Sequence, residues 1–256
     1  MADEFIDKPV INKPVVGIAV AVGVVAVSAW FYWNAHESAA PAVPQSTAPP
    51  VPAPPPDDRV EHPVPTAQDA AAKEALPDLA DSDPAISAAL EEAGGAMAKP
   101  YLVPDNIIRH IVVTVDNVPR QRAAVAKRPI VPAAGTFVAA GDEIHATLDR
   151  QNYQRYEPMV ALLRKADMQR LAGVYLRFYP LFQKAYQDLG YPNGYFNDRL
   201  VQAIDLLLAT PQMTGPIELV RPNVMYVFAD PTLEARPAGQ KILIRMGPDN
   251  AAAGTG

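Results

Sequence analysis

"LAGVYLRFYPLFQKAYQDLG", Leu171 to Gly190, is the stretch on which the fold turns. At about 100° per residue, Leu171, Tyr175, Phe178, Tyr179, Phe182, Tyr186 and Leu189 fall within roughly 80° of a helical wheel. A stripe this narrow predicts one long helix laid on a core. Pro180 removes an amide from the ladder, but the stripe keeps its phase on both sides, so a kink is expected rather than a break. Asp167 is placed to cap this helix, Gly190 to close it, and Pro192 follows.

Beyond it lies "GYFNDRLVQAIDLLLATP", Gly194 to Pro211. Asn197 is a good N-cap and Asp198 sits in the first turn, where the helix dipole favours an acid. Leu200, Val201, Ile204, Leu207 and Leu208 form the expected buried arc, with Asp205 on its edge, and Thr210-Pro211 stops the helix. "GPIELVRPNVMYVFADP" (215–231) reads as two short strands, and "GQKILIRMGP" (239–248) as an ambiguous helix ended by Gly247 and Pro248. The last six residues, "AAAGTG", read as frayed.

On the N-terminal side, "YQRYEPMVALLRKAD" (153–167) is helical, with Tyr156, Val160 and Leu163 in phase and Pro158 near the first turn. Residues 129–149 read as a loop plus two strands around Gly141-Asp142, with Ile144, Ala146 and Leu148 alternating. In "YLVPDNIIRHIVVTVDNVPR" (101–120), Ile107, Ile108, Ile111, Val112 and Val115 share an arc of about 140°. A helix is expected there, capped by Asp105 and ended by Pro119, with Arg109, His110 and Asp116 on its other face. An earlier helix is capped by Ser82 or Asp83, carries Pro84 at its start and stops at Gly94-Gly95. The expected fold class is α+β, mainly α, with a few short strands packed against one mostly helical domain.

The N-terminal third differs. Val15 to Trp33, "VVGIAVAVGVVAVSAWFYW", is uncharged and, at 1.5 Å per residue, long enough to cross a hydrocarbon core of roughly 30 Å. Its Trp30, Phe31, Tyr32 and Trp33 suit a membrane interface, and Lys8 and Lys13 precede the span, whereas no Lys or Arg follows before Arg59. An uncleaved anchor with a cytoplasmic N-terminus is favoured over a signal peptide cut near Val27 to Ala29. Gly17/Ala21 and Ala19/Gly23 have the small-residue spacing of a homodimer contact within the bilayer. The proline-dense tract that follows reads as a disordered polyproline linker. The expected layout is thus 1–14 cytoplasmic, 15–33 transmembrane, 34–75 linker, 76–248 folded domain and 249–256 flexible tail.

Composition narrows the function. The net charge of −6 and the absence of a Lys/Arg cluster disfavour nucleic acid as a partner. With no cysteine, disulfides, thiolate nucleophiles and cysteine-held metals are excluded. Of four histidines only His110 and His145 lie in the domain, with no zinc-binding spacing, and no nucleophile elbow or phosphate loop is present. No cofactor and no metal site are expected.

"TVDNVPR" (114–120), "YPLFQKAYQDLGYP" (179–192), "YFNDRLVQAIDLLLATP" (195–211), "RPNVMYVFADPTLEA" (221–235) and "GQKILIRMGP" (239–248) occur in the order of related strings in a known family. From about Leu76 to Pro248 the chain resembles the bacterial domain-of-unknown-function family numbered 3014. The resemblance implies a single-pass inner-membrane protein with its domain in the periplasm. It brings no activity and no catalytic residue. Members of that family often continue into a further C-terminal helix, which the resemblance implies is shortened or missing here.

Two chemistries are weighed on the residues themselves. Asp198 and Asp205, about 10.5 Å apart along one helix at 1.5 Å per residue, are too distant for a retaining glycosidase and marginal for an inverting one. Asp205 is instead expected to pair with Arg164, Arg177, Arg221 or Arg245. Phe178 and Phe182 read as core. The tyrosines need partners or water for their hydroxyls, so Tyr175, Tyr179, Tyr186, Tyr191 and Tyr195, with Asp198 and Arg199, form a candidate groove for sugar or peptide. The functional expectation is a membrane-tethered periplasmic binding or scaffold protein, with an envelope protein or peptidoglycan as partner. The alternative is a periplasmic hydrolase acting on cell-wall or glycan material. An energy-transducing layout ranks last, because the span carries no ionisable residue.

Overall fold

The computed structural model describes residues 60–64, 75–121, 129–142 and 145–255. The expected cytoplasmic N-terminus, the anchor at 15–33, most of the linker and Ile144 lie outside the described residues. Among the described residues no helix is long and apolar enough to cross a membrane.

Nine α-helices are present among them: α1 (Asp83–Gly94), α2 (Ile107–Asn117), α3 (Gln151–Gln154), α4 (Glu157–Lys165), α5 (Met168–Asp188), α6 (Phe196–Leu208), α7 (Pro231–Glu234), α8 (Ala238–Met246) and α9 (Pro248–Thr255). Four short strands, β1 (Ala139–Ala140), β2 (Ala146–Leu148), β3 (Glu218–Val220) and β4 (Val227–Phe228), form one antiparallel sheet in the order β1-β2-β3-β4. The fold is mostly helical with a small sheet.

The long helix forms as its stripe predicts. The Asp167 carboxylate accepts the amides of Gln169 at 3.0 Å and Arg170 at 3.1 Å, and α5 runs unbroken through Pro180. Leu171, Tyr175, Phe178, Phe182 and Tyr186 are buried, whereas Leu189, past the last turn, is exposed. α5 packs on α1, α2 and α6. The resulting core takes Ile107, Ile108, Val112 and Val115 from α2 and Leu200, Ala203 and Leu207 from α6.

α8 joins this core to the sheet. Every residue from Ala238 to Met246 is buried: Ile242, Leu243 and Met246 belong to the helical core, and Ile244 packs with Ala146, Leu148, Leu219 and Phe228 of the sheet. A Cβ at Gly239 would lie 2.8 Å from both Leu207 Cδ2 and Val118 Cγ1, so the close approach of α8 to α6 needs glycine there. The helix carries no polar face because its polar residues bond inward. Gln240 donates to the Leu206 carbonyl at 2.8 Å and Lys241 reaches Glu234 at 2.8 Å.

Five local expectations are corrected. α2 is not capped by Asp105: Asn106 adopts a left-handed conformation (φ 54°), and Asp83 of α1 accepts the amides of Asn106 and Ile107. Asp116 does not lie on an outer face of α2 but is buried. Asn197 does not cap α6, since Gln183 of α5 accepts the Phe196 amide at 2.8 Å and frees Asn197 for other bonds. The buried arc of α6 is Phe196, Leu200, Ala203 and Leu207, which turns Leu208 out to solvent. "AAAGTG" is not frayed through Thr255 but continues α9, whose Asn250 donates to the carbonyls of Tyr153 and Met246.

Candidate functional site

The start of α6 meets the C-terminal half of α5 through aromatic rings and one amide. Gln183 donates to the Gly194 carbonyl at 2.7 Å while its oxygen receives the Phe196 amide and the Tyr179 hydroxyl. Phe182 stacks on Phe196 with centroids 5.7 Å apart, and the Tyr179 ring meets Tyr195 edge-on at 5.7 Å. This fixes the first turn of α6 and aims Tyr195, Asn197 and Asp198 to one side.

That side is occupied. Val60–Val64, which the sequence reading assigned to the linker, lies across it. The two Asp198 oxygens accept consecutive amides, Glu61 at 3.1 Å and His62 at 2.7 Å. Asn197 Nδ2 donates to the His62 carbonyl at 2.8 Å, and the Tyr195 hydroxyl accepts the Val64 amide at 2.8 Å. Every one of these bonds goes to backbone. The side chains of Val60, Glu61, His62 and Pro63 are exposed and Val64 is half-buried.

Behind this surface Tyr175 donates to Asn197 Oδ1 at 2.8 Å, so Asn197 is buried between a phenol and the docked segment. Burial pushes the Tyr175 hydroxyl far above its usual range, with Tyr195 and Asp198 adding to the effect. Burial does the same to Tyr179, helped by its hydrogen bond to Tyr195. Both stay neutral at physiological pH and act as hydrogen-bonding groups rather than bases.

The expected groove residues divide into two groups. Tyr195 and Asp198 bond the docked segment directly, and Tyr175 and Tyr179 stand behind them, on Asn197 and Tyr195. Tyr186, Tyr191 and Arg199 belong to a second cluster, facing α2. There the buried Asp116 meets Arg120 at 2.7 Å and Arg199 at 3.2 Å, and Arg199 also donates to the Asp116 carbonyl at 2.6 Å. Arg120 reaches on to the Tyr191 hydroxyl at 2.6 Å, and Tyr191 stacks on Tyr186 with centroids 4.6 Å apart. Burial pushes the Tyr186 hydroxyl up to about 12, against the opposing pull of Arg199. Of the two guanidiniums on this carboxylate, Arg199 ties α2 to α6 and Arg120 closes the C-terminal end of α2 on itself.

The other candidates lie on separate elements. Asp205 is exposed and, among the described residues, makes none of the expected pairs with Arg164, Arg177, Arg221 or Arg245. His110 is half-buried on α2, and His145 is exposed beside Asp142. Among the described residues no group of three His, Cys, Asp or Glu is arranged to hold a metal.

Sequence reasoning placed Asp198 and Tyr195 in the site but missed Asn197 as a ligand-facing donor, Gln183 as the support of both, and Val60–Val64 as the occupant. One signal was present. Asp57 to His62 is the longest proline-free run between Pro41 and Pro65, and so the richest in amide donors.

The family model described as "Protein of unknown function (DUF3014)" matches residues 107–253. The match takes in every group that bonds the docked segment but not the segment itself. No curated protein and no solved structure matches the chain. The match covers more than half of the sequence, and the chain belongs to the DUF3014 family.

Proposed function

We propose that this DUF3014 protein is a non-enzymatic binding or scaffold protein of the bacterial cell envelope, and that its working surface is the cleft between α5 and α6. The observation that carries this is the seat of Asp198 on two consecutive amides, Glu61 and His62. A carboxylate that accepts neighbouring N–H groups, flanked by a donor to the intervening carbonyl and an acceptor for a further amide, is an arrangement for holding extended polypeptide by its main chain.

The placement of the domain is part of the same proposal. The uncharged span 15–33, its aromatic end, and Lys8 and Lys13 ahead of it support a single pass through the inner membrane with the domain in the periplasm.

Each half has its own test. With Glu61, His62 and Val64 of the full chain changed to proline, which removes the three amides that hold the resident segment, a labelled peptide of residues 58–67 binds, and Asp198→Ala in that background abolishes binding. A cleft that ignores the peptide would remove this reading. For topology, the cysteine-free chain allows single cysteines at Ala2 and Ala252. An impermeant maleimide added to spheroplasts is expected to label position 252 alone; labelling of position 2 would reverse the orientation.

A further inference from the structure

We infer that the cleft takes a proline-bearing segment of a separate protein, selected by the spacing of its backbone donors, and that Val60–Val64 is an intramolecular competitor for it. This rests on the peptide-binding reading above and adds the ligand class and its regulation.

The bonds specify a pattern. The cleft uses the N–H of position 61, the N–H and C=O of position 62, and the N–H of position 64. Position 63 is the one without an amide, and it is proline. Proline there brings no donor that needs an acceptor, fixes its own φ near −65°, and biases position 62 toward extended backbone. The segment is therefore shaped before it binds, which reduces the ordering cost. The required ligand has two amide-bearing residues, then proline, then a residue that is not proline. Side chains contribute little, since those of Glu61, His62 and Pro63 face solvent.

Not every proline satisfies this. In the same tract Pro50-Val51-Pro52-Ala53 fails, because proline at its first position has no N–H, whereas Ala42-Val43-Pro44-Gln45 has every donor required.

The resident segment is built to be displaced. Four hydrogen bonds hold it, and no side chain of residues 60–63 is buried. Residues 65–74 tether it to the domain, and so short a tether gives an effective concentration on the order of 1 mM. Against a backbone-only affinity of about 100 μM, the cleft is filled in cis roughly nine times in ten, and a competing ligand binds about tenfold more weakly than to an empty cleft. The same arithmetic disfavours a second copy as the occupant, since each copy's own segment outcompetes its neighbour's.

The test is fluorescence anisotropy on the full chain in detergent, with labelled peptide 58–67 as probe. The replaced chain, with Glu61, His62 and Val64 changed to proline and Val43→Pro added to remove the second matching segment, is expected to bind about tenfold more tightly than the intact chain. Glu61→Pro in the intact chain, which weakens the resident segment alone, should move its affinity toward that of the replaced chain. In the peptide, Glu61→Pro should lower binding tenfold or more, while Glu61→Ala stays within about twofold. A peptide of residues 40–47 should bind within about fivefold of the first.

Equal affinity for the intact and replaced chains would overturn the competitor role while leaving peptide binding standing. Equal effects of Glu61→Pro and Glu61→Ala would overturn donor spacing as the selector. Absence of binding to either chain would overturn this inference together with the function it rests on. An intact chain that runs as a dimer, and that added peptide splits, would make the second copy the occupant.

Discussion

The Asp198 carboxylate accepts the His62 amide at 2.7 Å across 136 positions of sequence. A contact this remote, made to backbone and to residues whose side chains face solvent, closes a long loop with little apolar burial to help it. Asp198→Ala should therefore cost the domain less than about 1 kcal/mol. Trypsin should nevertheless cut after Arg59 several-fold faster, because the segment beyond it is released. Thermal unfolding and timed digestion of the same sample read both outcomes, and a large loss of stability without faster cutting would make Asp198 a support of the fold instead.

Asn197 should behave in the opposite way. It is buried, and its side chain serves both the Tyr175 hydroxyl and the His62 carbonyl. Asn197→Ala leaves the buried phenol without an acceptor and is expected to cost about 1–3 kcal/mol. In a double-mutant cycle with Tyr175→Phe, the pair should cost clearly less than the sum. Simple additivity in denaturant unfolding would mean that the two groups do not depend on each other.

The Asp116 cluster predicts an asymmetry between its arginines. Arg199 is mostly buried at 18% side-chain exposure, whereas Arg120 is half-exposed at 50%. Asp116→Asn, which leaves two cations facing each other, should be the most damaging change, at about 3 kcal/mol or more. Arg199→Ala should follow, and Arg120→Ala should cost under about 1 kcal/mol. Chemical denaturation of the three variants gives the order directly.

What the sequence made legible was local. The phase of the apolar stripe located α5, and Asp167 showed its start, because cap and amides are neighbours in the chain. The caps assigned to Asp105 and Asn197 failed because the true partners come from elsewhere: Asp83 from α1 and Gln183 from α5. α8 was ambiguous for a related reason. A helix buried on all sides has no polar face to reveal its period, and its Lys241 and Arg245 are matched by groups on α7 and the sheet. The tyrosines drew attention to the right region, but which of them share a surface depends on how α2 meets α6. The docked segment was hidden most deeply, since backbone amides hold it and a side-chain sequence shows these only as the places where proline is missing.

Glu234 gives the pH prediction. Burial works to raise its carboxyl, but the Lys241 ammonium, the Phe228 amide and the nearby Arg245 charge outweigh burial and hold it below a glutamate's ordinary 4.5. A carboxyl lowered on folding stabilises the protein above its unfolded value, and that contribution is lost as pH falls through the folded value. The intact domain should lose stability as pH drops below about 4.5, and Glu234→Gln should flatten that part of the profile. At neutral pH the same variant removes the charge that faces the buried Lys241, whose ammonium keeps the Glu234 carbonyl at 3.1 Å, and should cost about 1–2 kcal/mol. Urea titrations between pH 3 and pH 7 check both signs.

Backbone amide exchange at Glu61, His62 and Val64 in the intact chain tests the central claim most directly. The cleft as described predicts protection at all three, with protection at Glu61 and His62 lost in Asp198→Ala and protection at Val64 lost in Tyr195→Phe, whose ring keeps its packing but offers no hydroxyl. Exchange at these amides as fast as in a free peptide of the same sequence would contradict it.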